Sequence, residues 1–162
     1  MFKHIRSAVI VAALFIALPG FAQAQNTVKY KCMIQMTNYT GQGAYLVVSL
    51  VNKDGLYDKA LYVLGPDKKW YPDLKEWHKA YKKKPTNISA VTGASVSGGD
   101  RSMVTLELDK AKINAGYKLR FETAVEDKEY YVSDLEIPLT TESLAAKSEG
   151  KGYIRYVRFS AN

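Results

Sequence analysis

The sequence predicts an all-β fold, an antiparallel β-sandwich with one short inserted helix. About eight short apolar or alternating runs recur at regular spacing, with turn signals between them. A single stretch, Asp73 to Tyr81, shows helical rather than strand periodicity. No glycine-rich phosphate fingerprint follows a strand and opens a helix, so a Rossmann-like arrangement has no support.

Val28, Tyr30, Cys32, Ile34 and Met36 alternate with Lys29, Lys31, Met33 and Gln35, which predicts a half-buried first strand. Asn38 to Gly43 is a turn cluster. Ala44 to Val51 is the most continuously apolar run after the N-terminal region and reads as a central strand. Asn52-Lys53-Asp54-Gly55 closes a hairpin onto Leu56 to Leu64, because Asp-Gly suits a tight inter-strand turn. Gly65-Pro66-Asp67 ends that strand. Leu74, Trp77 and Tyr81 then recur on one helical face, with Pro72-Asp73 suited to the start and Lys82-Lys83-Lys84-Pro85 to the end. This helix is expected to place Trp77 over an open edge or end of the sheet. Lys75, Lys79 and Lys82 lie on another face. They read either as a solvated surface or as an anion-attracting patch beside the loop that follows.

Asn87 to Val91 is expected to be a short strand, and Ser102 to Leu108 alternates as another. Asn114-Ala115-Gly116 turns the long connection after Asp109. Tyr117, Leu119, Phe121 and Thr123 then alternate with Lys118, Arg120 and Glu122, a polar face. Glu126-Asp127-Lys128 turns the chain, Glu129 to Ile137 returns, and Pro138 stops the strand. Thr140 to Gly152 reads as a loop or irregular helical turn, and Tyr153 to Phe159 as the last strand.

The N-terminus carries Lys3, His4 and Arg6, then an apolar run from Ala8 to Leu18, then Ala22-Gln23-Ala24. This predicts a secretory signal peptide over residues 1–24 and one mature domain over 25–162, exported to the periplasm and not membrane-spanning. Cleavage after Ala24 removes Lys3 and Arg6 and lowers the formal charge from +7 to +5. Both signs are interspersed along the chain, which argues against nucleic acid as a partner. The sole cysteine, Cys32, has no partner for an internal disulfide and falls on an apolar strand face, where a buried inert thiol is expected. Tyrosine is frequent, at twelve residues, mostly in strand-like runs.

No catalytic constellation emerges. The histidines are His4 and His78, too few for a histidine-built metal site, and no nucleophile elbow surrounds Ser95 or Ser97. The expectation is a protein that is not an enzyme and has no metal site. The small, hydroxylated segment Ser89-Ala90-Val91-Thr92-Gly93-Ala94-Ser95 stands out in this chain. As a plain inter-strand loop it needs no function, because Gly frees the backbone and Ser and Thr bond it locally. Thr92, Gly93, Ala94 and Ser95 also resemble the acceptor motif for covalent flavin attachment, Asp-x-x-Thr/Ser-Gly-Ala-Thr/Ser. Ser89 stands where that motif has Asp. The resemblance implies FMN linked through its phosphate to the Ser95 hydroxyl, with the flavin supplying any electron chemistry.

The signal segment, Trp77 in its helix, Ala90 to Ser95, and Ile113-Asn114-Ala115-Gly116-Tyr117-Lys118-Leu119-Arg120-Phe121-Glu122 together resemble a family of bacterial predicted periplasmic proteins of unknown function. The last piece is also similar to the Ala-Gly-x-Tyr lead-in to a strand of the Ig-like domain in flagellar hook-assembly scaffolds, here without the spacer between Gly116 and Tyr117. The resemblance spans about Val28 to Pro138. It implies an Ig-like sandwich and a genomic setting near flavin transferases, membrane-bound reductases and iron uptake. The function expected from it is a non-catalytic accessory protein of periplasmic redox or iron-uptake systems, with FMN on Ser95. Its partner would be a periplasmic or inner-membrane protein such as a flavin transferase or membrane reductase. The alternative is a cofactor-free periplasmic Ig-like protein-interaction module.

Overall fold

The computed structural model describes residues 26–88 and 91–161. The signal segment falls outside them, as do Ser89 and Ala90. Among these residues nine strands form two sheets. In chain order they are β1 (Thr27–Met36), β2 (Tyr45–Val51), β3 (Tyr57–Leu64), β4 (Thr92–Gly93), β5 (Arg101–Asp109), β6 (Lys118–Ala124), β7 (Tyr130–Pro138), β8 (Ser148–Glu149) and β9 (Ile154–Ala161). One sheet has the order β5-β1-β9-β8 and the other β4-β3-β2-β6-β7. The expected all-β sandwich is therefore present, with the apolar run around Val48 at the centre of the larger sheet.

The two inner faces make the main core. Cys32, Ile34 and Met36 of β1, Val104, Leu106 and Leu108 of β5, and Val157 of β9 meet Leu46, Val48 and Leu50 of β2, Leu119 and Phe121 of β6, and Ile137 of β7. Period-2 alternation puts each of these on the inward side, as two packed sheets require. The Asp54-Gly55 hairpin forms as predicted, with Val51 opposite Tyr57 and Gly55 at φ 79°. Cys32 is fully buried, and burial pushes its thiol far up, out of reach of thiolate chemistry.

The helix is α1 (Lys75–Lys83), two residues later than the periodicity suggests. A 3-10 turn, Lys68–Asp73, precedes it and is capped by the Asp67 side chain accepting from Lys69 N–H at 3.0 Å. Trp77 packs over the outer face of the larger sheet rather than its edge or end. Together with Tyr71, Leu74 and Ile88 it covers Val47, Val63 and Ala124 in a second apolar cluster. This crossover also explains a departure from the all-antiparallel expectation. The chain leaves β3, passes over the sheet through α1 and returns as β4 parallel to β3, with Val63 opposite Thr92. The strand expected at Asn87 to Val91 is observed at Thr92–Gly93, which pair with the β3 edge, and Ser89 and Ala90 of that stretch lie outside the described residues. The stretch from Thr140 to Gly152 holds a second short helix, α2 (Thr141–Ala145), and β8. The Thr140 hydroxyl starts α2 by accepting from Ser143 N–H. Among the described residues no helix is long and apolar enough to cross a membrane.

Candidate functional site

Three regions compete as functional surface: the Thr92 to Ser95 segment, the space under α1, and the open face of the smaller sheet.

Thr92 and Gly93 are held by β3, and Gly93 C=O accepts from Gly65 N–H at 2.7 Å. Val96 exchanges backbone bonds with Ala44 at 2.7 and 3.1 Å. The Tyr39 hydroxyl accepts from Ala44 N–H at 2.7 Å and donates to Val96 C=O. Ala94 and Ser95 are therefore a two-residue span between pinned neighbours, with Ala94 exposed and Ser95 half-buried. Gly43 makes room for Ser95: a Cβ on Gly43 would stand 2.7 Å from Ser95 Oγ. Ser95 lines a cleft of about 150 Å³ with Tyr45, Trp70 and Asp73, and a wider one of about 420 Å³ with Tyr62, Leu64 and Arg101. The four residues of the flavin-like motif thus stay together. The lysines of α1 do not join them: Lys79 and Lys83 line a different cavity, and none of its residues lines either cleft at Ser95.

That cavity lies between α1 and the outer face of the larger sheet. The alternation of β6 puts Arg120 and Glu122 on this face, and α1 then covers it, so Glu122 is buried, only 2 % exposed. No side chain caps α1 at Leu74. The sheet does so instead. Glu122 Oε2 accepts from the Trp77 backbone N–H at 3.1 Å, and the Tyr130 hydroxyl accepts from Glu76 N–H at 3.0 Å. Tyr130 in turn donates to Glu122 Oε2 at 2.7 Å. Burial pushes the Glu122 carboxyl above its ordinary range, against the lowering effect of these two bonds. Burial also raises the Tyr130 phenol. Sequence alternation groups Glu122 with Lys118 and Arg120, and nothing local signals that a helix from elsewhere in the chain covers it.

The sign of the Glu122 effect follows from that raised value. The folded state favours the protonated form, so its contribution to stability is fully present below the ordinary carboxylate range and is lost as pH rises through the raised value. Wild-type stability relative to Glu122→Gln is therefore expected to increase as pH falls from about 7 to about 4. Paired urea denaturation curves across that range check it, and a difference that does not move with pH contradicts it.

The third region is the outer face of the smaller sheet. Lys29, Lys31, Met33 and Gln35 of β1 lie beside Arg101, Met103, Thr105 and Glu107 of β5 and beside Tyr156, Arg158 and Ser160 of β9. Met33 pairs with Met103, which is 59 % exposed, and Arg158 flanks Met33 on the other side. At one corner Lys147, just beyond α2, stands 5.5 Å from the Tyr156 ring centroid, while Met103 stays exposed. His78 lies on α1, away from both clefts at Ser95, and among the described residues no group of three or more His, Cys, Asp or Glu could hold a metal ion.

Residues 27–156 match the family described as Predicted periplasmic protein (DUF2271). No curated protein matches, and no solved structure does either.

Proposed function

Because this chain belongs to the DUF2271 family of predicted periplasmic proteins, we propose that it is a non-catalytic periplasmic interaction module, with an Ig-like scaffold, that docks an acidic protein partner. The observation that carries this reading is the uncovered face of the smaller sheet. It has two methionines at its centre, Met33 and Met103, and Lys29, Lys31, Arg101 and Arg158 around them against Glu107, Asp109 and Glu149, the last paired with Lys147. Flexible apolar methionines suit an adaptable contact, and the surrounding cations favour a partner of opposite charge. The double variant Lys31→Glu/Arg158→Glu tests it, with Lys128→Glu, outside this face, as the control. The same periplasmic protein is expected to co-purify with wild type and the control and to be lost with the double variant, and raised salt is expected to release it. Equal recovery with all three forms rejects the face.

A second reading, an accessory role in redox or iron-uptake systems with FMN on Ser95, is favoured by one local feature. Ser95 opens onto the cleft that holds Tyr45 and Trp70, two aromatic side chains beside which a flavin ring would be placed. Co-expression with a flavin transferase in an exporting host is expected, on this reading, to add one FMN to the intact mass and to leave denatured protein fluorescent. Ser95→Ala is expected to abolish both while the fold survives. An unmodified mass beside an active transferase removes the cofactor.

A further inference from the structure

The cavity under α1 holds features that capping the helix does not use. It measures about 270 Å³, which suits a small metabolite rather than a drug-sized ligand. Ser49 and Trp77 both line it, and each is only 1 % exposed. Ser49 Oγ and Trp77 Nε1 are buried with no hydrogen-bond partner. Tyr57 also lines the cavity, and its phenol interacts with the Trp77 side chain without completing a hydrogen bond to the indole N–H. Buried polar atoms left unpaired are uncommon in native proteins, and each asks for a cause.

The donor inventory narrows what would satisfy them. An indole N–H only donates and a serine hydroxyl donates readily, so the missing partner offers acceptor atoms. Arg120 stands opposite Ser49 on the neighbouring strand, and its Nε is fixed by Glu136 at 2.7 Å. Lys79 and Lys83, one turn apart on α1, add positive charge at the rim. Two residues along β6 on the same face as Arg120, Glu122 receives both of its bonds on Oε2, and among the described residues nothing donates to Oε1. Ser49, Trp77 and Arg120 therefore call for an anion, and the ionised Glu122 carboxylate beside Arg120 calls for a donor. Glu76 also lines the cavity, which keeps it from being uniformly basic.

We propose that this cavity binds a small organic carboxylate that also carries a hydroxyl or amino donor. The carboxylate meets Ser49 Oγ, Trp77 Nε1 and Arg120, and the donor meets Glu122. Ser49 Oγ and Trp77 Nε1 are shut off from solvent in the free protein, so contact with the ligand requires the lining side chains over them, Leu56 and Tyr57 among them, to shift. The site lies on the other sheet from the proposed docking face, so either can fail without the other.

The test uses protein purified from the periplasm with Trp70→Phe, which leaves Trp77 as the sole tryptophan. The probes are malate and glycerate, with glycerol as the probe lacking the carboxylate. Malate or glycerate is expected to change Trp77 emission saturably, and glycerol to bind at least about tenfold more weakly. Ser49→Ala is expected to weaken malate and glycerate binding by at least about tenfold. It is also expected to leave the melting temperature of the free protein unchanged or raised, because the lost hydroxyl has no partner. Lys83→Gln is expected to reduce affinity less and to lessen its dependence on salt. No saturable response to either acid overturns the proposal, and so does Ser49→Ala binding with wild-type affinity.

Discussion

Asp134→Ala is expected to cost at least about 4 kcal/mol of folding stability, because it orphans a whole set of buried donors. Asp134 is fully buried in β7. Its Oδ1 accepts from the backbone N–H groups of Lys151 and Gly152 at 3.0 and 2.8 Å. Its Oδ2 accepts from Tyr153 and Ile154 N–H at 2.7 and 3.0 Å and from the Thr123 hydroxyl at 2.7 Å. One carboxylate in the larger sheet thus grips the loop that feeds β9 in the smaller sheet. Gly150 permits that closeness, since a Cβ there would stand 2.3 Å from Ile154 O and 2.7 Å from Asp134 Oδ1. Asp134→Asn is expected to be damaging as well, because its amide nitrogen turns a donor toward donors whichever way it faces. Urea denaturation measures both, and a loss below about 1 kcal/mol for Asp134→Ala contradicts this role.

Trp77→Ala is expected to cost about 3–5 kcal/mol. Trp77 is the largest side chain of the cluster beneath α1, with Tyr71 edge-on at 5.1 Å and Tyr81 stacked at 5.2 Å between ring centroids. Its loss opens a cavity that the rigid sheet below cannot fill, and it loosens the helix whose first turn Glu122 and Tyr130 hold. The same denaturation experiment reads it. A near-neutral result means that α1 contributes little to the fold.

Much of the architecture is legible in the sequence. Strict alternation from Val28 to Met36 and from Met103 to Leu108 identifies both strand and buried face, and Asp54-Gly55 fixes a hairpin. Leu74, Trp77 and Tyr81 mark the inward stripe of α1. What escapes are the consequences of one element covering another. Glu122 alternates like a solvated residue, yet α1 buries it. Ser49 looks like an ordinary interruption of an apolar strand, yet it sits unpaired under the same helix. Asp134 reads as one polar residue in a strand, because its partners lie about twenty residues ahead in a segment that resembles a loop. The lysines of α1 are visible as composition, but that Lys79 and Lys83 line the Ser49–Glu122 cavity while Lys75 lines a cleft with Trp70 and Tyr130 depends on where the crossover lands.

Site-directed photo-crosslinking in the periplasm tests the docking face most directly. A photoreactive amino acid at Met103 samples the open face of the smaller sheet, and one at Leu56 samples a similarly exposed apolar position in the β2–β3 turn of the larger sheet. A discrete adduct is expected from Met103 that disappears with Lys31→Glu/Arg158→Glu, and none of that size from Leu56. The same adduct from Leu56 with none from Met103, or a Met103 adduct indifferent to the charge reversals, would contradict it.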